Sequence, residues 1–96
     1  MADLADPHLR FEYVVWFRDA RFPADDPEYE WPACFRIDAA SAEEAQAWGD
    51  HRARAYSARR GEEAIFLSSH LDPPSAGVDT PVVRAGEPAS DEHIGW

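Results

Sequence analysis

The chain has 96 residues, of which 45% are apolar, 12% aromatic and 29% charged, and nine basic residues against nineteen acidic ones leave a formal charge of −10. That length holds one small domain, and the composition is that of a folded chain rather than a wholly disordered one. No apolar run approaches the ~20 residues of a membrane-spanning helix, MADLADPHLR lacks the basic start and apolar stretch of a secretory leader, and so acidic a protein repels nucleic acid at long range.

Residues 1–8 carry Asp3, Asp6 and Pro7 without periodicity and read as a loose N-terminus. From Leu9 to Arg18, the apolar Leu9, Phe11, Tyr13, Val15 and Phe17 alternate with Arg10, Glu12, Val14, Trp16 and Arg18. This period of two, rich in aromatic and β-branched residues, predicts a strand, and its length and apolarity predict a central one. Residues 19–32 hold Pro23, Pro27 and Pro32, which fix φ and remove a donor, so a long loop is expected there. The loop carries Phe22, Tyr29 and Trp31, three aromatics that either fold back on the core or face a partner.

Ala33–Ala39 alternates again and predicts the second strand. Ser41-Ala42-Glu43-Glu44 fits a capping box, opening a helix from about Ala42 to Arg59 that Gly61 terminates. At about 100° per residue, Ala42, Ala45, Trp48, Gly49, Arg52 and Tyr56 share one face. Its small residues let the helix approach a sheet closely, and close approach explains Gly49. Arg52 is the unexpected member of that stripe, calling for a carboxylate partner or a charge reaching water. Glu63–Leu71 carries the third strand, and residues 72–96 read as an acidic tail with Pro and Gly, poorly ordered over 72–93. The apolar ending Ile94-Gly95-Trp96 is unlike the rest of that tail, and its tryptophan is a candidate to dock on the domain.

The pattern predicts an α+β fold: a single domain over 9–71, β-β-α-β, with a small three-stranded, mainly antiparallel sheet. The strand order is 2-1-3, a split β-α-β unit with the helix on one face. The other face then carries Arg10, Glu12, Val14, Trp16 and Arg18 with Cys34 and Arg36, and Phe66 joins them if Ile65 and Leu67 turn to the helix. An apolar patch of this kind marks a contact. Its cover is the aromatic loop or Trp96, a second copy of the chain, or another protein.

Chemical motifs are sparse. His8, His51, His70 and His93 show no paired zinc spacing, and one cysteine builds no thiolate site, so no metal is expected. Cys34 has no assignable base and reads as a structural thiol. Asp25-Asp26 and Glu62-Glu63 lack the arrangement of a calcium loop, and there is no glycine-rich phosphate loop. His70-x-Asp72 is a weak pair at a strand end. The lone cysteine fits a reducing, cytoplasmic setting, and the absence of Lys and Asn with abundant Ala fits a high-GC bacterial genome.

The first functional expectation is a protein–protein interaction domain, self-associating as a homodimer or binding another protein, with no cofactor, nucleic acid or membrane involved. Its surface is Val14, Trp16, Phe66, Phe22, Tyr29, Trp31 and Trp96. The alternative is a small-molecule-binding protein or enzyme built as dimeric α+β barrels are, with a site between subunits and Arg52, Tyr56 and His70 as its polar groups.

Overall fold

The alternating segment Leu9–Arg18 forms strand β1, paired antiparallel with β2 (Glu30–Ala39) and with β3 (Ile65–Asp72). Helix α1 (Ala42–Arg60) connects β2 to β3, so β1 lies between the two strands that the helix links. This computed structural model describes residues 9–23, 27–73 and 80–96. The expected loose terminus 1–8, the pair Asp25-Asp26 and part of the expected tail, 74–79, lie outside the described residues.

The α+β class, the single main helix and the central place of β1 are as the pattern predicts. The sheet differs. It has four strands in the order β3-β1-β2-β4, where β4 (Val82–Arg84) runs parallel to β2 and makes the sheet mixed. Hydrogen bonds from Arg36 N to Pro81 O at 2.8 Å and from Ala85 N to Asp38 O at 2.9 Å flank the pairing. A short helix, α2 (Asp91–Ile94), follows. Ser90 caps it, its hydroxyl accepting from His93 N at 3.1 Å, and Gly95 in the left-handed region, φ 71°, ends it. The described part of the expected tail is therefore folded onto the domain. Three residues are too few to show a period, and their partner strand lies some forty residues away in sequence.

β2 begins three residues before the expected Ala33 and runs through Pro32. β4 pairs with β2 only at Arg36–Asp38, so Pro32 occupies a stretch where β2 is an edge strand and a missing donor is tolerated.

The helix side of the sheet forms the core. Tyr13, Val15, Phe17, Phe35, Ile37 and Ala39 are fully buried, with Ala45 and Ala53 of α1 against them. Each large apolar side chain buried in this way contributes about 1.5–3 kcal/mol. Gly49 permits the close approach: a Cβ there would lie 2.5 Å from Cδ1 of Tyr13. At the start of α1, Ser41 Oγ accepts from Glu44 N at 3.1 Å, and the Glu44 carboxylate reaches back to Ala40 N at 2.8 Å. None of the helices is long and apolar enough to cross a membrane, among the described residues.

Candidate interaction surface

The face of the sheet opposite α1 is built from the even residues of β1 and their cross-strand neighbours. Pairing places Asp38 beside Arg10, Arg36 and Asp72 beside Glu12, Cys34 and His70 beside Val14, Pro32 and Ser68 beside Trp16, and Glu30 and Ile65 beside Arg18. No helix among the described residues packs on this face, but Glu12 is only 7% exposed on it, so the open part is the end around Trp16. Trp16 is 36% exposed near its middle, with Pro32 and Ser68 exposed on either side.

Phe66 does not join Trp16. The register of β1 and β3 shifts between Trp16 and Phe17, so that Trp16 faces Ser68 while Phe17 faces Phe66, leaving Leu67 as the extra residue. This β-bulge turns Phe66 to the helix side, edge-on to Phe17 at 6.5 Å, with the Arg54 guanidinium 4.5 Å from its ring centre. Leu67 is 41% exposed instead. A strand of continuous alternation cannot announce such a phase change.

The polar groups of this face are held by one another and, at Arg36, by Thr80. The Cys34 thiol donates to the Glu12 carboxylate at 3.2 Å. Burial and then the hydrogen bond and charge of Glu12 push that thiol up to about 12, which keeps it protonated and a poor nucleophile. Arg10 makes a two-pronged pair with Asp38, 2.7 and 3.2 Å, and Arg36 donates to Thr80 Oγ1 at 3.0 Å and to its carbonyl. His70 Nε2 lies 3.3 Å from Asp72, both groups half in water. By register the face carries Arg10, Arg18, Arg36 and Arg84 against Glu12, Glu30, Asp38 and Asp72, so its formal charge is zero. The entire surplus of ten negative charges lies elsewhere on the chain.

The remaining aromatics named from the sequence lie apart from this face. Trp96 packs into the helix-side core, stacked on Tyr56 at 4.9 Å and edge-on to Phe17 and Phe35 at 5.7 and 5.4 Å. Trp31 lies 5.7 Å from Phe17 on the same side. Phe22 and Tyr29 stack on each other at 3.8 Å and 2°, bracketing the β1–β2 connection, with Phe22 39% exposed. Val14 is half-buried beside Cys34 and His70.

Arg52, Tyr56 and His70 do not converge. Tyr56 is covered by Trp96 on the helix side, whereas His70 projects from the opposite face of the sheet. Arg52 donates to the carbonyl of Ala89 and lies 5.9 Å from the Trp48 ring centre. In that hydrogen bond a backbone carbonyl of the C-terminal segment stands where a carboxylate was expected.

Two polar clusters had no signature in the sequence. In the first, the Asp50 carboxylate accepts from the Tyr13 hydroxyl at 2.7 Å, from the Ser69 hydroxyl, and from Gln46 Nε2 at 3.1 Å. Gln46 also reaches Ser69 at 2.7 Å, and burial and then Asp50 push the Tyr13 hydroxyl pKa up. The cluster ties α1 to β1 and β3 and borders a shallow depression of about 550 Å³ lined by Ala42, Gln46, Ala47 and Leu71. In the second, Asp91 accepts from Arg59 at 2.6 and 2.8 Å and from the Trp96 indole at 2.9 Å. A cleft of about 450 Å³ between β4 and α2, lined by Asp38, Arg84, Ser90 and His93, lies nearby. His93 Nε2 lies 3.0 Å from the Val82 carbonyl. No group of three His, Cys, Asp or Glu side chains is placed to hold a metal among the described residues.

Comparison with known proteins leaves the chain on its own: no family model, no curated protein and no solved structure matches it.

Proposed function

We propose that the protein is a protein-binding module that acts through the open face of its sheet. The observation that carries this reading is Trp16, 36% exposed in the open part of a face that no helix covers among the described residues. A large aromatic side chain in such a position, flanked by the exposed Pro32 and Ser68 with Arg18 and Glu30 in the next row, has the make-up of an interface centre with a polar edge. The raised pKa of Cys34 argues against a thiol nucleophile there, and the separation of His70 from Arg52 and Tyr56 argues against a shared small-molecule site within one subunit. The lone thiol suits a cytoplasmic setting, and the Lys- and Asn-free sequence suits a bacterial one.

The test is a photo-cross-linking side chain at Ser68, beside Trp16, in producing cells. Discrete protein adducts are expected there, lost on Trp16→Glu and absent when the probe replaces His51 on the exposed side of α1. Equal labelling at both positions, or none at Ser68, would remove the reading.

A further inference from the structure

We infer that the free edge of β3 beside α1 is a second binding surface, distinct from the Trp16 face, which takes an extended, basic peptide segment of another protein as an added strand. β3 is an outer strand of the sheet, paired with β1 on one side. Parity fixes which of its backbone groups are left over. Arg36 N and Asp38 O bond to the residues flanking β4, so the even residues of β2 turn their amides and carbonyls to β4 and the odd ones to β1. The odd residues of β1 answer them, and Glu12, Val14 and Trp16 turn theirs to Asp72, His70 and Ser68. Ser69 and Leu71 therefore point both backbone groups away from β1, and neither backbone has a partner on that side among the described residues. The result is two donor–acceptor pairs about 7 Å apart, the repeat with which an extended strand pairs. The bulge at Leu67 and Pro73 bound this stretch, and between them no Lys or Pro guards the edge.

The side chains of Ser69 and Leu71 lie on the helix side, where Ser69 meets Asp50 and Gln46. There the edge opens onto the depression of about 550 Å³ between Leu71 and the Ala42–Asp50 half of α1. A strand added about 4.8 Å from β3 sets every second side chain on that side, and the one beside Leu71 enters the depression. This is the arrangement of strand addition, in which main-chain bonds hold a peptide and pockets for alternate side chains select it. Charge selects the occupant. The depression joins the apolar Ala42, Ala47 and Leu71 to two carboxylates, Glu43 and Asp50. Asp50 is held by the neutral donors Tyr13, Ser69 and Gln46, and neither it nor Glu43 is in an ion pair among the described residues. Arg54, one turn further along α1, lies over the Phe66 ring. A Lys or Arg side chain fits this make-up, its stem on the apolar wall and its cation at the carboxylates. A chain of charge −10 draws basic partners at long range and repels a second copy of itself.

Amide exchange of the purified full chain is the first test. Ser69 and Leu71 should exchange fast, and His70 between them slowly. Protection of Ser69 and Leu71 at every protein concentration would overturn the free edge. Protection that fades on dilution would assign the edge to a second copy and overturn the peptide. The second test is selection of a random peptide library on the immobilised full chain. Enriched peptides are expected to carry Lys or Arg and no proline in their binding core, and to slow exchange at Ser69 and Leu71. Their affinity should fall at least about tenfold in Glu43→Lys. Ala47→Trp, which fills the depression, should weaken them as well. Both positions are exposed, so the unfolding midpoint should stay that of the parent. The same charge change at Glu62, beyond the far end of α1, should leave affinity unchanged. No enrichment, enrichment of acidic peptides, or binding indifferent to both substitutions would overturn the inference.

Discussion

At Gly49 two residue-level effects oppose each other, and their sizes decide the outcome. Alanine in mid-helix is worth about 1 kcal/mol more than glycine. The added Cβ, however, would sit 2.5 Å from the Tyr13 ring, whose hydroxyl is anchored to Asp50 and which cannot swing aside. Overpacking a tight core costs about 1–3 kcal/mol. Gly49→Ala is therefore expected to lose about 1–2 kcal/mol in urea unfolding, where an exposed helix glycine would gain. Cys34 makes a second residue-scale prediction. A thiol held up to about 12 by burial and by Glu12 is almost wholly protonated at pH 8. Alkylation of the native protein should run roughly a thousandfold slower than for an ordinary thiol of pKa ~8.5, and reach the ordinary rate in denaturant. The same shift has a stability sign. Above pH ~8.5 the unfolded chain releases a proton that the native state keeps, so this thiol contributes a loss of stability as pH rises from there towards 12.

At the scale of elements, the C-terminal segment closes the core rather than trailing from it. Ile94 is 1% exposed, and Trp96 caps the Phe17–Phe35–Tyr56 cluster. Full truncation of a buried Phe or Trp costs about 3–5 kcal/mol, and Trp96 is only half-buried, so Trp96→Ala should lose about 2–3 kcal/mol by denaturant titration. A tail without a structural role would give no change. Asp91 is the polar half of this latch. Burial pulls its carboxyl up, but hydrogen bonds from Trp96 and Arg59 and the charges of Arg59 and Arg52 outweigh it and hold the group below its ordinary 3.8. Its contribution to stability is present above pH ~4 and disappears as pH falls through the lowered native value. Asp91→Asn should therefore flatten the acid limb of the stability curve, and amide exchange of Ile94 and Gly95 should quicken in that variant at neutral pH.

For the whole molecule the dominant electrostatic fact is the charge of −10 on 96 residues. Exposed ion pairs such as Arg10–Asp38, Arg59–Asp91 and Arg60–Glu63 oppose it, but such pairs are worth about 0–1 kcal/mol each. A net charge this far from zero destabilises the compact state by self-repulsion, and salt screens both that and the pairs. The melting temperature is expected to rise by a few degrees between about 20 and about 300 mM sodium chloride, where about 1 kcal/mol corresponds to roughly 4–8 °C for a domain of this size.

What the residues determined alone is what depends on neighbours in the chain. β1 is legible because ten residues alternate, α1 because Ser41, Glu44 and Gly61 mark its ends, and the close helix–sheet contact because Gly49 lies in the apolar stripe. The open face with Val14 and Trp16 was legible for the same reason, since alternation assigns sides once one face is buried. Tertiary structure decided what depends on residues far apart. The bulge at Leu67 moved Phe66 to the core, because register between β1 and β3 is fixed by packing and not by either strand. The parallel strand Val82–Arg84 exists only because β2 offers it an edge. Asp50, which looks like one more surface carboxylate of a helix, became the acceptor for Tyr13 and Ser69 only when three elements met around it. Short-range spacing carries the periods and caps, whereas a bulge, a three-residue strand and a polar latch are chosen by partners that the local sequence does not contain.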